Sequence, residues 1–147
     1  MACFPSGVVV VTAVDAQGRP RGLTVSAFCP VSLDPPLILV CIDRTSNTLP
    51  ALRHAQKFTV NILASGRRDL ARWMASKSEH KFDRLRWQPS EAGPVLDGDS
   101  AAYAICAVEQ VVEAGDHWLF VARVEKGAVY PGVTPLVYSR RAFLELG

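Results

Sequence analysis

The run Arg21-Gly22-Leu23-Thr24-Val25-Ser26-Ala27-Phe28 sets two hydroxyls into a stretch of strand-forming residues, and Val31-Ser32-Leu33-Asp34-Pro35-Pro36 turns it toward the apolar Leu37–Ile42. On a strand, Thr24 and Ser26 share one face and Val25 and Ala27 the other. Their small side chains let a planar ring approach the backbone, whose N–H and C=O groups can pair with a pyrimidine-like edge. Directly after the apolar strand, Cys41-Ile42-Asp43-Arg44-Thr45-Ser46-Asn47-Thr48 becomes polar and opens a predicted helix. Free N–H groups at a helix start favour a phosphate, and Arg44 with the hydroxyls adds charge-assisted bonds. Ordinary capping by Ser46, Asn47 or Thr48 accounts for the same residues. Taken together, the two segments suit a flat, polar-edged ligand that carries a phosphate.

Three further places could do chemistry. Gly115-Asp116-His117 puts an imidazole beside a turn, where it is either solvated or turned toward a heteroaromatic ring. Lys81-Phe82 pairs a cation with an aromatic that could cover a phosphate and a ring; a helix-end lysine and a core phenylalanine read equally well. Tyr138 carries the same ambiguity. No G-x-G-x-x-G, P-loop, H-E-x-x-H or G-x-S-x-G occurs, and no Cys/His spacing suggests zinc, so no metal site is expected.

The elements that must position these residues are mostly strands. Val8–Val14 is apolar almost throughout and reads as a strand buried on both faces. Gly22–Cys29, Leu37–Ile42, Phe58–Leu63, Ala101–Glu113, Trp118–Lys126 and a short last strand over 135–138 follow, with a hairpin at Ala114-Gly115-Asp116-His117. A short helix is predicted from Thr48 to Gln56. A second covers Arg68–Lys77, with Leu70, Trp73 and Met74 packed on the sheet, and Glu79–Leu85 reads as a further helical turn. Helices inserted among antiparallel strands argue for a barrel and against a doubly wound sheet.

The chain has 147 residues and half of them are apolar, which suits one domain over 1–147. A net charge of +2, with Lys and Arg scattered along the chain, argues against nucleic acid and against an anionic membrane surface. No stretch reaches the length of a bilayer span and the start lacks a signal-peptide pattern, so the expected location is cytoplasmic. Cys3, Cys29, Cys41 and Cys106 are widely spaced, and the expectation is buried, reduced thiols.

These residues resemble the flavin reductase-like family, the small FMN-binding split-barrel reductases that partner two-component flavin monooxygenases. The markers run nearly end to end: Phe4-Pro5-Ser6-Gly7-Val8 with Val11-Thr12, Gly22–Phe28, Val31–Pro36, Phe58–Leu63, Gly115-Asp116-His117 and Pro135-Leu136-Val137-Tyr138. The resemblance implies a mainly β fold: a six-stranded antiparallel Greek-key split barrel with two or three flanking helices, assembled as a homodimer. It implies that Thr24, Val25, Ser26 and Ala27, with Cys41–Thr48, line FMN or FAD, that Lys81 and Phe82 lie close to it, and that His117, with Tyr138, meets the nicotinamide of NADH or NADPH. The implied activity is NAD(P)H-dependent flavin reduction, supplying reduced flavin to a partner monooxygenase. An FMN enzyme acting on another acceptor, such as a corrinoid or a ferric chelate, or a flavin carrier without nicotinamide turnover, would share these residues. Many members carry a helix ahead of the Phe4–Val8 segment, and Gln after the Asn61–Leu63 strand where this chain has Ser65-Gly66-Arg67-Arg68.

Overall fold

The computed structural model describes residues 1–146. In chain order it contains β1 (Ser6–Gly7), β2 (Val9–Val14), β3 (Pro20–Val25), β4 (Phe28–Leu33), β5 (Pro36–Asp43), α1 (Leu49–Ala55), β6 (Lys57–Leu63), α2 (Arg68–Met74), β7 (Ser100–Ala114), β8 (His117–Val129), β9 (Val137–Ser139) and β10 (Ala142–Leu144). A seven-stranded antiparallel sheet has the order β3-β2-β6-β7-β8-β5-β4. Its two edge strands, β3 and β4, are consecutive in the chain. The sheet therefore curls so that its two edges are joined through Ser26-Ala27; the Cys41 N–H to Ala27 carbonyl bond of 3.0 Å adds one more rung to the β4–β5 side. This is a split barrel. The expected six strands are recovered when β3 and β4 are taken as one strand broken at its bend.

The break corrects the expectation of a continuous Gly22–Cys29 strand. Ser26 and Ala27 leave both ladders, and their carbonyls accept from Phe28 N–H and Cys41 N–H instead. β2 has no solvent face, as its composition requires. Val9, Val11 and Ala13 enter the barrel core with Val40, Ile42, Phe58 and Phe120, closed at one end by Leu49 and Leu52 of α1. Val8 and Val10 enter a second core outside the barrel, with Leu63, Ala71, Met74, Leu96 and Leu136.

That second core explains the rest of the chain. Asn61, wholly buried, donates from Nδ2 to the Val10 carbonyl and accepts Leu96 N–H at 2.8 Å, while Thr12 Oγ1 donates to the Pro94 carbonyl at 2.6 Å. These bonds clamp the 88–96 loop onto the barrel wall, so a loop-rich sequence becomes part of the core's lid. β1, β9 and β10 form a separate three-stranded sheet over it. The 135–138 segment is thus followed by one more strand, joined through a two-residue turn at Arg140-Arg141.

Further expectations change. α2 stops at Met74, because Lys81 captures the Met74 carbonyl. Ala71 and Met74 bury its inner face, and Trp73 stays 43% exposed, with its ring N–H donating to the Lys81 carbonyl at 2.9 Å. The 79–85 segment forms isolated turns, closed by Asp83 N–H on His80 and Leu85 N–H on Phe82. Of the four thiols only Cys106 is buried, with burial raising it to about 12; Cys41 is half-buried, and Cys3 and Cys29 are exposed. Cys3 precedes the first strand and Cys29 points outward from an edge strand, so neither has a core to enter. No helix of the described residues is long and apolar enough to cross a membrane.

Candidate functional site

The outer face of β3 presents Gly22, Thr24 and then Ser26 toward α2 and its following turns. Thr24 Oγ1 donates to the Ala71 carbonyl at 2.5 Å. Thr24 and Ser26 line a cleft of ≈ 340 Å³ together with Arg72, Tyr138, Arg141 and Phe143. Tyr138 and Phe143 sit opposite each other in the β9–β10 ladder with ring centroids 5.0 Å apart, and Arg72 lies over the Phe143 ring at 5.5 Å.

One step back along β3, Gly22 marks a much smaller cavity of ≈ 10 Å³, which Arg21, Asn47, Thr48, Glu79, Lys81 and Phe82 help to line. A Cβ at Gly22 would stand 3.0 Å from Met74 Cε and 3.1 Å from Phe82 Cζ, so glycine is what lets these side chains close on the strand. Lys81 is only 8% exposed; its Nζ donates to the Met74 carbonyl at 2.7 Å and to the Gly22 carbonyl at 2.9 Å. Desolvation, then the Arg21 and Lys77 charges, lower its pKa from 10.5 to about 8. Thr48 holds the N-cap position of α1, yet its hydroxyl donates to the Gly22 carbonyl at 3.1 Å and leaves the helix start without a side-chain cap. Asn47 and Ser46 also serve the loop: Asn47 Nδ2 donates to the Lys77 carbonyl, its own carbonyl accepts from Arg21, and Ser46 Oγ accepts Thr48 N–H.

The third place is the rim where β5 and β8 end. Asp43 and His117 face each other in that ladder. Asp43 Oδ1 accepts both Thr45 N–H and Thr45 Oγ1–H, which lowers its pKa, with His117 and Lys77 adding smaller effects. His117 Nδ1 lies 2.7 Å from Asp116 Oδ1, so the carboxylate fixes the ring's orientation. Arg44 is drawn away from the helix start, into an ion pair with Glu113 and a bond to the Gly115 carbonyl.

The predicted residues therefore fall into three neighbouring groups on one side of the barrel. Thr24, Ser26 and Tyr138 share the first; Asn47, Thr48, Lys81 and Phe82 the second; Asp43, Arg44 and His117 the third. Val25 and Ile42 point into the barrel core and have only backbone to offer. Ala27 and Cys41 join the edge strands through their main chains. Sequence reading gave no role to Arg21, Arg72 and Arg141, the further cations lining these cavities. Arg21 adjoins the Gly22–Phe28 run and was legible there; Arg72 and Arg141 are 69 positions apart and met only through the fold. Among the described residues no three His, Cys, Asp or Glu gather as a metal site would require.

Residues 1–147 match the flavin reductase like domain along their whole length. The chain belongs to the flavin reductase-like family. It is 42% identical over 146 residues to the flavin reductase (NADH) of Kitasatospora aureofaciens, covering 97% of this chain and 76% of that protein. It is 37% identical over 145 residues to the flavin reductase (NADPH) of Lentzea aerocolonigenes, covering 97% and 84%. The NADH:FAD oxidoreductase SgcE6 of Streptomyces globisporus C-1027, solved with NAD and FAD fragments, superposes with a TM-score of 0.93 at 31% identity over 99% of this chain and 88% of that one. Other relatives are reductase components of flavin-dependent monooxygenases. The chain spans between 45% and 84% of the length of these curated relatives.

Proposed function

We propose that the chain is a cytoplasmic NAD(P)H:flavin oxidoreductase that passes reduced FMN or FAD to a partner monooxygenase. The observation that carries this reading is the β3 face, Gly22-Thr24-Ser26, opening on a cation-lined cleft of ≈ 340 Å³ in a chain of this family. The residues fit a flavin. Ser26 and Ala27 lie outside both ladders with their carbonyls engaged, so their N–H groups are free to meet a polar ring edge. At the neighbouring small cavity, Arg21 and the third N–H of Lys81 are the cationic donors a phosphate could meet, with Glu79 on the same lining.

The flavin, when bound, supplies the hydride-accepting centre; the protein supplies orientation. His117, braced by Asp116, positions the nicotinamide at the open rim. Hydride transfer needs no side-chain acid.

The same reading includes a homodimer. The outward face of β4, β5, β8 and β7 carries Cys29, Leu39, Cys41, Leu119, Val121 and Val112, a continuous apolar surface on adjacent strands. Asp43 and His117 lie on that same face at its end. A second copy seated there would cover the apolar surface and wall the nicotinamide rim.

Anaerobic mixing tests the activity. Protein, FMN and then NADH are combined, and the visible flavin band is followed; protein-dependent bleaching is expected, and repeats with FAD and NADPH rank the substrates. Flavin that binds without bleaching under either nicotinamide would mark a carrier instead.

A further inference from the structure

The turn joining β9 to β10 carries arginine at both central positions, with φ of +52° at Arg140 and +62° at Arg141. Two-residue hairpin turns of this kind favour Gly, Asn or Asp, since at positive φ the Cβ of other residues crowds the backbone carbonyl. Nothing in the ladder requires arginine there. Arg141 does gain a location: it lines the ≈ 340 Å³ cleft beside Arg72, above the Tyr138–Phe143 pair and next to Thr24 and Ser26. None of the cleft's lining residues is acidic. The one carboxylate near Arg72 is the exposed Asp69, 4.0 Å from its guanidinium, and Arg141 has no ion-pair partner among the described residues. Two guanidinium groups flanking aromatic rings, in a cleft of the size small ligands use, match an aromatic base joined to a phosphorylated sugar.

We propose that Arg72 and Arg141 form a subsite for an adenosine phosphate, the part of an adenine dinucleotide that lies beyond its reacting ring. This rests on the reading of the chain as a reductase, because Thr24 and Ser26 belong to both the flavin face and this cleft. Two sources carry that chemistry: the 2′-phosphate of NADPH and the pyrophosphate of FAD. Arg141 thereby sets a preference among substrates and takes no part in hydride transfer.

Arg141→Gly is the useful variant, because glycine suits the turn and the fold is kept. Wild type and variant are compared in two ratios of kcat/KM, NADPH to NADH with FMN as acceptor, and FAD to FMN with NADH as donor. Loss of a charge-assisted bond lowers one ratio by about tenfold or more. A fall in the first assigns the 2′-phosphate, a fall in the second the pyrophosphate, and both ratios staying within about twofold overturns the proposal. Arg140→Gly, in the same turn but outside the cleft, is expected to leave both ratios unchanged. Calorimetry with 2′,5′-ADP and with 5′-ADP, which carries the pyrophosphate, reads the subsite without turnover: wild type binds at least one of them, and Arg141→Gly or Arg72→Ala binds it about tenfold more weakly or worse. A wild type that binds either probe yet oxidises neither nicotinamide would keep the subsite and sink the reductase reading. A wild type that reduces flavin but ignores both probes would do the reverse.

Discussion

Lys81 shows how one buried cation can organise a site. Its ammonium joins the end of α2 to β3 through the Met74 and Gly22 carbonyls, and the Thr48 hydroxyl meets the same Gly22 carbonyl. Lys81→Met strips Met74 of its partner and is expected to cost about 1–3 kcal/mol in urea unfolding. The pH dependence has a definite sign. The folded pKa is about 8 and the unfolded one remains near 10.5, so between these values the unfolded chain binds the extra proton and stability rises with pH. A neutral amine still has two N–H groups for the two carbonyls. The stability gap between wild type and Lys81→Met therefore widens from pH 8 to pH 10.5; a gap that stays flat or narrows would place the titration elsewhere. His117 makes a different prediction. If it positions the nicotinamide, His117→Ala raises KM for NADH by about tenfold while FMN affinity, read by fluorescence quenching, stays put. Weakened FMN binding with an unchanged KM would instead assign it to the flavin.

At the scale of elements, the site depends on how closely α2 and the 81–82 turn approach β3. Gly22 permits that approach, and Thr24 fastens it with its bond to Ala71. Gly22→Val places methyl groups where Met74 and Phe82 now stand. The expected result is a loss of about 1–3 kcal/mol from overpacking, with weakened flavin binding because both flanking clefts are displaced together. A Gly22→Val protein that unfolds at the wild-type urea midpoint would show that α2 is not seated by this contact. The break at Ser26-Ala27 is the other decisive element. It turns the strand from one sheet edge to the other and withdraws two residues from the ladders, which a continuous strand could not do.

For the whole molecule, closure of the sheet leaves its outer surface as the question. Leu33 is 96% exposed, and Val31 and Val112 stand exposed near the half-buried Leu39, Leu119 and Val121. Sedimentation is expected to give twice the chain mass of 16.0 kDa. Val121→Arg, on the outward face opposite Leu39, is expected to shift the protein toward monomer and to raise KM for NADH, since His117 borders the same face. A wild-type monomer that turns over normally would remove the dimer from the proposed function.

Much of this was legible in the sequence. Unbroken apolar composition dictated β2's burial on both faces and placed β5, long strand-forming runs around the Gly115 turn placed β7 and β8, and the ordered motifs from Phe4 to Tyr138 identified the family. Sequence could not show that the strand breaks after Val25, because on one side of the break it pairs with β2 and on the other with β5, and those partners are chosen by sheet closure. Nor could it show that Lys81 turns inward or that Trp73 turns outward, since α2's inner face is chosen by what Gly22 allows to approach. The scattered cations became clefts only when β3, α2 and the β9–β10 turn were brought together: Arg21 with Lys81, and Arg72 with Arg141. Local pattern fixes which face of a strand is apolar, because it depends on the period of two alone. Which side chains share a cleft depends on sheet closure and long-range hydrogen bonds, and these exist only in the folded chain.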